Sequence, residues 1–380
     1  MFFLGKDRKA ESGTHRKNHR WFLFLLLKVL NVLTIIAMMM VGFSDRINPT
    51  EHALWSILGL GFPILLIINL GFLVFWVFFR ARMVWLPLLG LLMCYVPIRK
   101  YTPFNPPKDP PFKSLKVLSY NVFMFAVEDL DENEDNPIVN YILDSKADIV
   151  CLQEADTMGV KRKNVFKRFR AAFPYCDAEK APIKYGQTMI LLSRFPILRK
   201  ERIAYESEGN SSFAYIIDYH GTEVLVINNH FESNRMTEED KESYKSIVKD
   251  PLNNLDAPEV PTRLIDKLTT AATLRAPQVE TVAAYVKKYQ SRRMPIILCG
   301  DFNDSPISYA HHTIENLLTD CYVSCGNGPG ISYNRSGMYF RIDHIFCSDD
   351  FKPYGAKVDN KIAASDHYPI YTWLKFTPKP

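Results

Sequence analysis

Two long apolar runs near the N-terminus constrain this chain more than any other feature. Trp21 to Phe43 (WFLFLLLKVLNVLTIIAMMMVGF) has 23 residues and one charge, Lys28; Ala53 to Phe79 has 27 residues and none. As a helix, either can cross a hydrocarbon core about 30 Å thick. A third run, Met83 to Ile98, has only 16 residues and contains Pro87. The first run lacks a small-residue cleavage site and is followed by more apolar sequence, so it does not read as a signal peptide. A transmembrane region over residues 21–98 is expected, with spans near 21–43, 53–79 and 83–98.

Charge gives the orientation. The tail over residues 1–20 carries Lys6, Arg8, Lys9, Arg16, Lys17 and Arg20, which the positive-inside rule keeps in the cytoplasm. The loop Ser44 to His52 has only Arg46 and suits the far side; Arg80 and Arg82 bring the chain back. If the third run spans, all that follows lies outside the cytoplasm; if it is re-entrant, the rest stays inside. Three spans are expected, in a multi-pass protein of the cell (inner) membrane with its larger part on the extracytoplasmic side.

Residues 99–112 include YTPFNPPKDPPF, with five prolines. Such a linker favours extended polyproline II and could act as a spacer of about 35 Å. From Lys113 to the C-terminus the texture is different. KVLSYNV, ADIVCLQE, TMILLS, FAYIIDY, EVLVINNHF, PIILCGD, RIDHIFC and HYPIYTWL read as strands. Pro137 to Ser145, Val160 to Phe173, Glu238 to Val248 and much of Thr262 to Gln290 read as helices. Strands and helices mixed on this scale predict a layered α/β sandwich.

Residues 1–112 hold 13 Lys/Arg against 5 Asp/Glu, and residues 113–380 hold 33 against 36. The basic excess thus belongs to the membrane third, and the larger part is faintly acidic, which disfavours long nucleic acid as its main partner. Seven cysteines without a CxxC pair argue against a disulfide framework or a zinc site on spacing. Cys151, Cys299 and Cys347 lie in apolar runs and read as core thiols; Cys321 and Cys325 could pair in an oxidising compartment.

Polar residues recur where the apolar runs end: Asn121, Glu154, His230, Asp301, Asn303, Asp343, Asp366 and His367. A single Asn or Asp after a strand is ordinarily a turn residue, but so many endings point to one site. Glu154, Asp366 and Asn121 are hard oxygen donors or their supports, suited to Mg²⁺ or Mn²⁺ and not to zinc. His230 and His367 can bind phosphoryl oxygens or move protons. Asp343 can orient an imidazole, Asp301 can take a proton from water, and Asn303 can fix its position. Nothing reads as a covalent nucleophile, so direct attack by water is the economical mechanism.

The ordered set YN, LQE, SRFPI, NNHFES, GDFND, RIDHIF and SDHYPI resembles the endonuclease/exonuclease/phosphatase superfamily, the deoxyribonuclease I-like fold, over about Lys113 to Phe376. The resemblance implies a four-layer α/β/β/α sandwich and divalent-metal hydrolysis of phosphoesters where strand ends of both sheets meet. It implies that Glu154 is the metal-binding glutamate with Asn121 beside it, and Asp366 the metal-associated residue before the last histidine. It implies His230, Asp301, Asn303, Asp343 and His367 as catalytic residues, with Asp343 orienting His367. One departure is Phe123, where some apurinic-site nucleases of the family carry an acid. NHFESNR is also similar to a stretch in tyrosyl-DNA phosphodiesterase-like members.

The expected function is a membrane-anchored, Mg²⁺-dependent phosphoesterase, its substrate a lipid head group, a small phosphodiester or monoester, or nucleic acid. A DNA- or RNA-cleaving enzyme and a non-catalytic membrane scaffold are the alternatives; the lipid bilayer is the expected partner, and no protein partner is evident. The remaining polar residues read as structural. Asp304 or Ser305 is expected to cap the helix after Pro306, His311 and His312 to lie on the surface, and His344 to point away from Asp343 as a structural residue. The basic run Lys161–Arg170 reads as a solvated helix face, with contact to a polyanion or anionic lipid head groups as the alternative, and the acidic run Glu128–Asp135 as a solvated loop, with an incidental cation site as the weaker reading.

Overall fold

The computed structural model describes residues 7–129, 136–156, 159–249, 259–333, 335 and 338–377. Most of the acidic run, from position 130 on, lies outside the described residues, as do positions 1–6 of the basic tail. The chain folds as two units, one made of the stretch up to Phe43 with Leu60–Ile98, the other of Ser44–Gly59 with Arg99 onward.

Helices α1 (Asp7–Gly42), α2 (Pro49–Ser56), α3 (Phe62–Phe79), α4 (Trp85–Met93) and α5 (Tyr95–Tyr101) make up the N-terminal third. Among the described residues, Trp21–Arg46 and Pro49–Phe79 are long and apolar enough to cross a membrane, and Ala81–Met93 with Tyr95–Tyr101 forms a pair bent by 66°. Inside the first unit, Asn31 and Asn69 are fully buried. Their amides pair at 3.3 Å, and the Trp76 indole donates to Asn31 Oδ1 at 3.0 Å. Pairing of this kind satisfies polar groups where water is absent and fastens α1 to α3.

The second unit has two six-stranded sheets. Its strands are β1 (Leu115–Asn121), β2 (Ile149–Gln153), β3 (Tyr175–Lys180), β4 (Thr188–Ser193), β5 (Ile197–Ile203), β6 (Ser211–Tyr219), β7 (Thr222–His230), β8 (Ile296–Asp301), β9 (Thr319–Asp320), β10 (Asp343–Cys347), β11 (Phe351–Val358) and β12 (Ile370–Phe376). The first sheet runs β11-β12-β1-β2-β4-β3, the second β5-β6-β7-β8-β10-β9. Val117, Ile149, Cys151 and Leu191 of the first face Tyr215, Val226, Ile297 and Cys299 of the second in one apolar layer. The outer faces are covered by α6 (Pro137–Asp144) and α7 (Gly159–Ala172) on the first sheet, and by α9 (Glu259–Gln290) and α10 (Tyr309–Glu315) on the second. Helices α8 (Glu238–Lys249) and α11 (Cys321–Cys325) complete the unit. This is the four-layer α/β/β/α sandwich: each inner strand is buried on both faces, so its run is almost continuously apolar.

Two expectations need correction, and the Cys321–Cys325 pairing left open is not formed. The helix cap after Pro306 is Ser308, which accepts from His311 N–H at 3.2 Å, while Asp304 pairs with buried Arg275 at 2.6 Å. Cys321 and Cys325 are free thiols, and Cys321 Sγ lies 3.7 Å from Cys347 Sγ instead. The linker does not stand free over its first half. Asn105 donates to the Val323 and Gly326 carbonyls at 3.2 and 2.6 Å, and Arg99 donates to Val323 O at 3.2 Å.

Segment 44–59 is likewise built into the second unit. Lys100 pairs with Asp45 at 2.7 Å and also with Glu315, Asn48 donates to Glu280 at 3.3 Å, and Thr273 donates to the Pro49 carbonyl at 3.3 Å. A Cβ on Gly59 would lie 2.0 Å from the Ile307 carbonyl oxygen, so only glycine fits there.

Candidate active site

The sheet registers bring distant polar residues into one row. His230 ends β7 and sits opposite Asp301, the last residue of β8, which in turn pairs with Asp343 at the start of β10. In the other sheet Asn121 ends β1 opposite Gln153, and Glu154 follows. A Cβ on Gly300 would fall 1.9 Å from the Asn229 carbonyl oxygen, and its φ of +142° excludes other residues, so β7 and β8 can close up directly beside the site. Glu154 and Asn303 have φ of +50° and +52°. Such strain in non-glycine residues collects at functional sites.

The contacts link both sheets. Asn121 Nδ2 donates to Glu154 Oε1 at 3.0 Å and to Asp301 Oδ2 at 3.1 Å. His230 Nε2 lies 3.6 Å from each of the same two carboxylates, and His367 Nε2 lies 3.6 Å from Asp301 Oδ2. His367 Nδ1 meets Asp343 Oδ2 at 2.8 Å. Asp301 Oδ1 accepts from Asn303 N–H at 2.7 Å, and Asn303 Nδ2 donates to the Phe231 carbonyl at 3.0 Å. Asp366 is half-buried; its one described bond is a long 3.5 Å contact from Ser365 Oγ. Six of the eight expected residues therefore touch one another through their side chains, Asn303 joins through its backbone N–H, and Asp366 stands at the margin.

Burial sets the protonation. It pushes the Asp301 carboxyl up to about 6, with Asp343 adding to the rise and His367 and His230 opposing it. Burial likewise raises Glu154, against the Asn121 amide, and lowers His230, against Asp301. For His367 burial acts downward, but the Asp343 and Asp301 carboxylates outweigh it and hold the imidazolium well above the ordinary histidine range. The site thus pairs a reluctant carboxylate with a persistent cation, a combination suited to proton transfer.

Asp301, Asp343 and His367 lie close enough to share an ion. We read Asp343 and His367 as an orienting pair instead, because their 2.8 Å hydrogen bond already fixes the ring. Glu154 is the most open of the three acids: its side chain is 20% exposed, whereas those of Asp301 and Asp343 are 1% exposed. Two acids, Glu154 and Asp301, bridged by the Asn121 amide form an oxygen-rich site that fits a hard divalent ion.

Residues 118–367 match the family model described as Endonuclease/Exonuclease/phosphatase family. The chain belongs to this family. Its members are hydrolases acting on phosphoester bonds. Residues 20–101 match a domain of unknown function (DUF8431). Comparison with curated proteins gives no match. Among solved structures, the human Nocturnin catalytic domain with bound sulfate is 16% identical, with a TM-score of 0.48, covering 70% of this chain and 95% of that one. A family protein from Bacteroides thetaiotaomicron is 19% identical, with a TM-score of 0.44, covering 71% and 99%. One from Beutenbergia cavernae is 17% identical, with a TM-score of 0.49, covering 69% and 72%.

Sequence reasoning missed Ser365 and Tyr333. Ser365 Oγ donates to the Asn121 carbonyl at 2.8 Å and accepts from His367 N–H at 3.2 Å, tying β1 to the last histidine. Its place directly before the Asp-His pair was the available signal. The Tyr333 ring meets the His367 ring at 5.2 Å from a stretch with no strand pattern.

Proposed function

We propose that this protein is a membrane-anchored phosphoesterase, hydrolysing a phosphodiester or phosphomonoester by in-line attack of water. The observation that carries this reading is the meeting of Asn121, Glu154, His230, Asp301, Asp343 and His367 from both sheets in one linked set. Glu154, with Asn121 and Asp366 beside it, would hold a divalent ion, Mg²⁺ or Mn²⁺ by its oxygen donors. When bound, such an ion neutralises charge on the phosphoryl group. Asp301 Oδ2 takes the proton of the attacking water; Asn303 N–H, on its other oxygen, holds the carboxylate in place. His367, kept cationic by Asp343, and His230 donate hydrogen bonds to the phosphoryl oxygens.

The rim supports an ester with an apolar or aromatic portion. Phe123 and Met124 are exposed directly after Asn121 and Val122. The Phe123 N–H bonds to Asn121 Oδ1 at 3.1 Å and the Met124 N–H to Glu154 O at 2.8 Å. The net acidic balance after residue 112 favours a lipid head group or small phosphodiester over a long nucleic acid. The test is an activity panel on the full-length chain in detergent. It comprises a bis-aryl phosphodiester, an aryl monoester, phospholipid vesicles, and single-stranded and duplex DNA, each with Mg²⁺ and with chelator. Metal-dependent turnover of an ester supports the proposal, preference for DNA replaces the substrate class, and chelator-insensitive turnover removes the metal assignment.

The same reading includes the anchor. Segments 44–59 and 99 onward belong to one folded unit, which supports a return of the intervening stretch to the side it left. On this reading Phe62–Phe79 crosses once, the bent pair over 81–101 crosses back, and a cytoplasmic tail leaves the catalytic unit outside the cytoplasm. A reporter fused after Asn105 should be active only in an extracytoplasmic setting; activity only in the cytoplasm contradicts this topology.

A further inference from the structure

Strand β10 has a second cluster on its reverse face, which the proposed hydrolysis does not use. Asp343 and His344 are neighbours in the strand, so their side chains leave on opposite sides. His344 meets His311 of α10 and Asp320, the residue that caps α11. One nitrogen or oxygen from each lies within 4.8 Å of the other two, and the three residues are 0%, 0% and 3% exposed. This corrects the expectation that His311 lies on the surface.

The hydrogen bonds here leave a gap. His344 Nε2 lies 3.3 Å from the Asp304 carbonyl oxygen. A carbonyl only accepts, so Nε2 carries a hydrogen here, and Nδ1 is the nitrogen this ring can offer a metal. That Nδ1 is buried without a hydrogen-bond partner, 3.8 Å from Asp320 Oδ2. Asp320 Oδ1 accepts from the Tyr322 and Val323 N–H groups at 2.7 and 3.0 Å, and Oδ2 meets His311 Nε2 at 2.7 Å. His344 Nδ1 and Asp320 Oδ2 therefore face each other in a buried site, too far apart for a hydrogen bond, and a cation between them would satisfy both.

We propose that His311, Asp320 and His344 bind one divalent transition-metal ion of the zinc class, at a site separate from the hydrolytic centre. Two imidazoles and one carboxylate suit zinc and similar borderline ions, whereas Mg²⁺ demands oxygen donors. The Asp304 carbonyl already orients His344 as carbonyls orient metal-bound histidines. For His311 to ligate through Nε2, its ring hydrogen moves to Nδ1, which is buried, unpartnered and 4.0 Å from Glu315 Oε2 one turn along α10. The ion would tie α10, the α11 cap and β10 together, and so brace the strand that presents Asp343.

The test is metal content of the full-length chain, purified in detergent without a metal-affinity step, exposed to one equivalent of Zn²⁺ and dialysed against excess Mg²⁺. About one zinc per chain is expected, retained in Glu154→Gln and reduced about tenfold or more in His344→Phe and, separately, in His311→Gln. Circular dichroism checks that each variant is folded. A titration of wild type against a chromophoric zinc chelator reads the same site without any substitution. The proposal is overturned if wild type does not compete with the chelator, if folded His344→Phe keeps its zinc, or if Glu154→Gln is the variant that loses it. None of these results bears on whether the hydrolytic centre is active.

Discussion

The two faces of β10 carry the same residue types and opposite chemistry. In front, Asp343 and His367 join Asp301, His230 and a Glu154 side chain that is 20% exposed. Behind, His344, His311 and Asp320 are sealed among Phe302, Phe346 and the α10 side chains. The front has one partly open carboxylate and groups whose protonation the surroundings have displaced. The back is buried, and in our proposal its ion would brace β10, α10 and the α11 cap. Surroundings, and not the presence of His and Asp, separate a reactive site from a fastening one.

A substitution in front should have the largest effect. Asp301→Asn should lower turnover by about 10²–10⁴-fold, measured as steady-state ester hydrolysis, while the melting temperature does not fall. His367→Ala should act in the same direction. Near-normal rates in either variant would revive the scaffold reading. The mirror-image change behind is Asp320→Ala, which strands buried His311 and removes the α11 cap. It should cost about 3–5 kcal/mol of stability in denaturant melts; a loss below about 1 kcal/mol would mean that the back cluster fastens nothing.

A smaller effect sharpens the protonation argument. In chelator, the folded chain holds the Asp301 proton up to about pH 6, whereas the unfolded chain releases it near 3.8. Native Asp301 therefore becomes progressively less favourable as pH rises from about 4 to about 6, by at most roughly 3 kcal/mol. Asp301→Asn mimics the protonated form, so it should match wild-type stability near pH 4 and exceed it above pH 6. His367 changes wild-type stability with the same sign: its contribution is complete below 6.5 and lost as pH climbs through its raised folded value. Equal stability of Asp301→Asn and wild type at every pH would contradict the displaced carboxyl. The smallest expected effect is at the rim, where Phe123→Ala should reduce kcat/KM a few-fold for aryl or lipid esters and leave inorganic phosphate inhibition unchanged.

Much of the front was legible in the sequence because strands buried on both faces read as apolar runs, and a polar residue ending such a run stands out. KVLSYN, DIVCLQE, VLVINNH and IILCGD all did this. Strands β3 (YCDAEK) and β5 (ILRKERI) did not, because edge strands exposed to solvent carry charges and lose the pattern. The back cluster was hidden for another reason. Helix α10 has seven residues, too few to show a periodic face, and adjacent His311 and His312 look polar although the first is fully buried. Its partner Asp320 lies in a two-residue strand that no pattern marks. The docking of Ser44–Gly59 was equally unreadable, since a loop between apolar runs gives no sign of what it packs against.

We propose one ester-hydrolysing centre assembled from both sheets around a hard cation. Its most direct test is the hydrolysis rate of the best panel substrate by the full-length chain, first with Mg²⁺, then with chelator, then with Mg²⁺ restored. Loss of turnover in chelator and recovery on restoring the ion is the predicted result. A rate indifferent to chelation would contradict it.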